Sequence, residues 1–324
     1  ERAGATIINT GIGWHEARVP TIVTSVPRGG FADVTAKFYG EVDIPVCTTN
    51  RINTPEKGEE ILAAGKADMV SMARPLLADS EFVRKAEQGR SDEINTCIAC
   101  NQACLDHAFQ AKRASCLVNP RACHETELVL TVAPVVRWVA VVGAGPAGLA
   151  AATTAAKRGH KVTLFEADDQ IGGQFNYAKR IPGKEEFYET LRYFQRQIEL
   201  LEIDLKLGTR VDAESLKAQG FDDVVIATGV KPRTPSIEGI DHPKVLGYLD
   251  VLRHNKPVGK NVAVIGAGGI GFDVSEFLTH DFSHHPEGEQ VSVADWQAEW
   301  GVHPDFDGPG GLAERQPTPS PRKI

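Results

Sequence analysis

Apolar residues in this chain fall into short β-branched runs separated by stretches of helical period. Residues 5–9, 44–49 and 67–72 read as strands, and a helix is predicted from Pro55 to Ala64, ended by Gly65. Strands alternating with helices imply a parallel sheet with right-handed crossovers, as part of a barrel or of an open sheet. Residues 96–123 break this rhythm, being cysteine-rich and without periodicity, and residues 124–136 read as a connector. A strand, a glycine turn and an alanine-rich helix then run from Arg137 to about Arg158, followed by strands at 161–165 and 221–227. A second strand–turn–helix opens at residues 261–265. From His280 onwards proline, glycine and polar residues dominate, which predicts loop. The expected fold class is therefore α/β.

Composition narrows the function classes. Thirty-five basic against 43 acidic residues leave a net charge of −8, which argues against general nucleic-acid binding and against an anionic membrane partner. Residues 138–156 carry no charge over 19 positions, but Gly143, Gly145, Pro146 and Gly148 interrupt them, so a strand and helix fit better than a membrane span. The chain opens on Glu1-Arg2-Ala3-Gly4 and not on a basic stretch and an apolar run, so it reads as cut from a longer sequence, with a cytoplasmic location expected. Four of the six cysteines fall between 97 and 116, crowding that suggests a metal site more than a disulfide framework.

Three sets of residues carry chemistry. Gly143, Gly145 and Gly148 have dinucleotide-binding spacing after a strand, with Ala147 in the helix start and Glu166 placed 18 residues beyond Gly148 for a ribose hydroxyl. Gly172-Gly173-Gln174 and Ala227-Thr228-Gly229 push the ligand toward FAD. Gly266, Gly268 and Gly271 repeat the fingerprint, as a nicotinamide domain beside a flavin domain does, and are compatible with NAD or NADP. Cys97-x2-Cys100-x3-Cys104-x11-Cys116 suits a 4Fe-4S cluster, with zinc as the rival. His15, in the Gly11–Arg18 loop, could donate to a polarised carbonyl, while Arg51 and Arg74 follow the second and third strands, where barrel loops form phosphate pockets.

Taken in order, Gly-Trp-His-Glu-Ala-Arg, Thr-Thr-Asn-Arg, Met-Ala-Arg-Pro, the four cysteines and the two fingerprints closely resemble the bacterial-type NADPH-dependent 2,4-dienoyl-CoA reductases. That group stands with trimethylamine dehydrogenase and the old-yellow-enzyme-like iron–sulfur flavoproteins. The resemblance implies the last part of a (β/α)8 barrel carrying FMN over residues 1–95 and an iron–sulfur segment over 96–123. It further implies an FAD-binding domain over 124–238 and a partial NADPH-binding domain over 239–324. It implies His15 as the active-site histidine, and Arg51, Ala73 and Arg74 as FMN contacts. It makes Cys97, Cys100, Cys104 and Cys116 the cluster ligands, and Ala147, Gly148, Glu166, Gln174, Lys184 and Val211 FAD contacts. Electrons would pass from NADPH through FAD, the cluster and FMN to a 2,4-dienoyl-CoA. The family's catalytic tyrosine and first five barrel strands have no counterpart here, so this stretch alone is expected to be inactive. A 2-enoate reductase, an amine dehydrogenase or a pure electron-transfer module are the alternatives on the same scaffold.

Overall fold

Short segments build the first sheet, and its central strand alone is buried at every position. In the computed structural model, which describes every residue except His15, β1 (Ile8–Thr10), β2 (Val46–Thr48) and β3 (Met69–Val70) lie parallel in the order β1-β2-β3. The connections carry α1 (Ala32–Ala36) and α2 (Pro55–Ala63). Helix α2 starts where the Thr54 hydroxyl accepts from the Lys57 N–H and Pro55 presets the first turn, and it stops before Gly65 at φ +65°. Ala32, Ile52 and Ile61 form the core against this sheet. Beneath it the hydroxyls of Thr10, Thr35 and Thr48 bond in series at 2.6 and 2.9 Å, so buried polar groups stay satisfied. Helices α3 (Arg74–Ala78), α4 (Phe82–Glu87) and α5 (Leu105–Phe109) follow.

A second parallel sheet has the order β6-β5-β4-β7, built from β4 (Trp138–Val142), β5 (Lys161–Phe165), β6 (Asp204–Lys206) and β7 (Asp223–Ile226). Around and after it stand α6 (Pro146–Lys157), α7 (Phe175–Ala178), α8 (Phe187–Leu200), α9 (Ala213–Gln219), α10 (Tyr248–Leu252) and α11 (Gly269–Thr279). Val139, Val141, Leu149, Leu164, Ile198 and Ile203 supply its core. This is the strand order of a mononucleotide-binding half, whose first strand feeds the glycine turn at the sheet's carboxyl edge. No helix among the described residues is long and apolar enough to cross a membrane.

The chain divides into two units: residues 1–125, 182–190 and 280–321, and residues 126–181, 191–279 and 322–324. Two sequence expectations change. The strand over 261–265 does not form: Asn261 makes an isolated bridge to Lys323 and Ile265 is 80% exposed. No strand among the described residues runs beside it, and a lone extended segment has no ladder to hold it. The region after His280 is not all loop, and residues 280–321 belong to the first unit. It contains α12 (Val293–Trp300), begun by the Ser292 hydroxyl accepting from the Asp295 N–H and ended by Gly301 in the left-handed region. Apolar burial drives this placement, since Trp296, 1% exposed, meets Phe31 edge-on at 5.5 Å beside Val26 and Val302 in the first unit.

Candidate functional site

The turn between β4 and α6 keeps its glycines for different reasons. A Cβ on Gly143, at φ +104°, would meet the Ala227 carbonyl oxygen at 2.4 Å, and one on Gly148 would sit 1.8 Å from the Gly143 oxygen. Those two are required by strand–helix packing. A Cβ on Gly145 meets nothing within 4 Å, so the protein itself leaves that space open over the N-terminus of α6. An open cradle before free helical N–H groups fits a pyrophosphate. Gly266, Gly268 and Gly271 repeat the arrangement: the third is 2.0 Å from the Gly266 oxygen, and the second faces open space. Glu166 directly follows β5 and accepts from the Ala144 N–H at 2.7 Å and the Asp168 N–H at 3.0 Å, tying its carboxylate to the cradle. Ala147 lies in the first turn of α6. Gln174 bridges the Val230 carbonyl and the Tyr248 hydroxyl, and Val211 packs against Ala140, Phe165 and Leu216. Lys184 lies on segment 182–190 of the first unit.

The four cysteines converge on one small pocket, which Arg74, Leu77, Ile98, Asn101 and Val118 also help to line. All four are free thiols. Ala99 and Asn101, at φ +51° and +61°, turn the loop in the left-handed region between successive cysteines. Backbone N–H groups of Ala99, Gln102, Val118 and Asn119 point at the sulfurs of Cys97, Cys100 and Cys116. Burial nevertheless pushes these thiols up, Cys116 to about 11, because a thiolate in an apolar pocket lacks solvent. A cationic metal group reverses that preference and releases the protons. A tetrahedral zinc site would draw four sulfurs to roughly 3.8 Å from one another, given Zn–S bonds of ~2.3 Å. Among the described residues the set of three ligand atoms lying within 4.8 Å of one another is His303, Asp305 and Asp307, without a cysteine. Four thiolates gathered on one pocket also fit a cubane cluster, whose separate irons each take one.

The barrel loops reach the same region. Asn53, after β2, donates to the Cys97 carbonyl at 2.8 Å, while Arg74, after β3, donates to the Ile22 carbonyl at 2.7 Å and to Asn101 Oδ1 at 2.5 Å. Ala73 caps α3 and is exposed. Arg51 is 3% exposed and does not point to solvent. Its Nε donates to the Val26 carbonyl at 2.8 Å and its Nη2 to Glu186 at 2.7 Å. Glu186 also takes a two-pronged bond from Arg28 at 2.9 and 2.6 Å and one from Gln290 at 3.0 Å. The sequence gives no signal for this group: its partners stand 158 and 135 positions from Glu186 and follow no local spacing. His15, the candidate histidine, lies outside the described residues.

Comparison with known proteins matches two separate segments of the chain. Residues 1–93 match the NADH:flavin oxidoreductase / NADH oxidase family, and residues 137–294 match the pyridine nucleotide-disulphide oxidoreductase family. Two segments of the chain thus resemble two oxidoreductase families. It is 42% identical over 282 residues to a metal reductase of Desulforamulus reducens, covering 86% of this chain and 42% of that protein. It is 35% identical over 302 residues to a bilirubin reductase of Mediterraneibacter gnavus, covering 92% and 46%. Among solved structures, a 2-naphthoyl-CoA reductase in complex with 2-naphthoyl-CoA superposes with a TM-score of 0.81 at 36% identity, over 84% of this chain and 42% of that one. The chain thus spans less than half the length of the relatives it matches.

Proposed function

We propose that this chain is the flavin- and cluster-binding part of an NADPH-dependent oxidoreductase that reduces unsaturated acyl-CoA thioesters, 2,4-dienoyl-CoA being its substrate. The observation that carries the reading is the four-cysteine pocket, walled by Arg74 from the loop after β3. When bound, NADPH, FAD, a 4Fe-4S cluster and FMN would supply hydride transfer, one-electron transfer and hydride delivery. The chain's own residues have separate tasks. Gly145 keeps the cradle open for the FAD pyrophosphate, and the α6 N-terminus offers it N–H donors. Glu166 holds the turn by two backbone bonds and keeps acceptor capacity for ribose hydroxyls. Cys97, Cys100, Cys104 and Cys116 bind the cluster as thiolates, while the apolar walls keep water from it. Ala73 and Arg74 form the loop against the FMN, and His15 stabilises the negative charge that develops on the thioester oxygen.

Similarity to a reductase that takes an aromatic acyl-CoA supports the thioester class over amines. The test is an anaerobic assay of the protein carrying this chain, with NADPH as donor and loss of diene absorbance from 2,4-dienoyl-CoA as readout. Turnover of the dienoyl thioester well above that of a free enoate supports the reading. Flavin reduction by trimethylamine without thioester turnover would replace it by the amine dehydrogenase alternative. A protein that holds flavins and cluster but passes electrons to neither substrate class is a relay module.

A further inference from the structure

Arg74 stands out among the buried cations of the first unit. Arg28 and Arg51 share the carboxylate of Glu186. Arg74 has neutral partners, the Ile22 carbonyl and the Asn101 side-chain oxygen, and pairs with no carboxylate among the described residues. It is also the charged side chain of the cysteine pocket. A partly buried guanidinium that lines the pocket of the four cysteines with no carboxylate partner is complementary to an anionic occupant of that pocket. Its anchor is not incidental, since Asn101 directly follows Cys100 and is held in the left-handed region within the ligand loop. Movement of that loop therefore moves the guanidinium with the sulfurs.

We propose that Arg74 is the built-in counter-charge of the cluster, fixed by Asn101 and Ile22, and that it raises the cluster's reduction potential. This rests on the cluster reading above. A four-thiolate cubane is already anionic, and accepting one electron makes it one unit more negative with no proton or bond changing hands. A fixed cation beside it favours the reduced state more than the oxidised one. Arg74 thereby links the loop after β3, offered above as a flavin contact, to the ease with which the neighbouring cluster is filled.

The experiment is an EPR-monitored redox titration of the 324-residue chain, purified anaerobically, with iron and sulfide analysis of the same samples. Arg74→Gln should shift the reduction equilibrium at least tenfold toward the oxidised cluster, a midpoint about 59 mV lower for a one-electron couple. Arg74→Lys, which keeps the charge, should stay within about threefold of the unaltered chain, or about 28 mV by the same relation. A Gln chain with full iron content and an unmoved midpoint overturns the role of Arg74 and leaves the cluster standing. Stoichiometric zinc in the unaltered chain, without iron or sulfide, overturns the cluster reading itself. If the Gln chain fails to load, loading of the Lys chain supports the counter-charge. Failure of both overturns it, because the fork geometry and not the charge would then be what matters.

Discussion

Glu186 is one carboxylate serving two arginines, and its ionisation decides whether they are tolerated inside. Burial opposes its charge, but the hydrogen bond from Arg28 and the positive charges of Arg51 and Arg28 outweigh that and hold it at about 2, below its ordinary 4.5. A depressed carboxylate stabilises the fold fully above its unfolded value, and that contribution disappears as pH falls from about 4.5 toward 2. Glu186→Gln should therefore lower unfolding free energy at pH 7 by about 3–5 kcal/mol, since it leaves buried cations without their partner. In urea titrations the two proteins should converge as the pH is taken below 4.5; a constant gap down to pH 2 would refute the assignment. At the cysteines the sorting is by position. Cys97→Ser or Cys116→Ser should abolish iron binding, whereas Cys123→Ser, exposed and outside the pocket, should leave iron content unchanged. Gly145 and Gly148 separate function from fold within four residues. Gly145→Ala should cost under ~1 kcal/mol of stability as an open N-cap position yet strip FAD, measured as flavin released per chain. Gly148→Ala should instead lower Tm, because its methyl group collides with the Gly143 carbonyl.

At the level of elements, what was legible in the chain depended on how local its cause is. The β4–α6–β5 unit could be read almost to the residue, since its apolar strands, glycine turn and alanine-rich helix carry their own signals. Helix α12 was missed although Ser292 and Gly301 cap it, because the surrounding prolines and glycines outweigh eight residues of pattern. Its reason for existing is Trp296, whose partners Phe31 and Val26 lie far back in the chain. The strand at 261–265 failed in the opposite direction, with a good local pattern and no neighbour. Trp296→Ala should destabilise the first unit by about 3–5 kcal/mol in denaturant titrations. Trp296→Phe should cost far less, since the buried Nε1 has no hydrogen-bond partner to lose. Equal losses from both would mean that the indole nitrogen is satisfied after all.

On the scale of the whole molecule, the first unit is assembled from three separate stretches of chain, 1–125, 182–190 and 280–321. Ending the chain at Thr279 removes Trp296, Val302 and Gln290 together. Amide exchange should then become fast around Val26, Phe31 and Ile61, while β4 and β5 keep their protection; protection retained at Phe31 would contradict the placement of α12. The same layout sets a timetable during synthesis. Phe31 leaves the ribosome 265 residues before Trp296. At ~5–20 residues per second, it waits roughly 13–53 s for the aromatic partner that covers it. Throughout that interval Val26 and Phe31 have no lid, and Arg28 and Arg51 wait for a carboxylate 135 or more positions downstream. Such a face, left uncovered, is a target for a holdase, and crosslinking of stalled chains should capture one around residues 26–51 before α12 emerges and lose it afterwards.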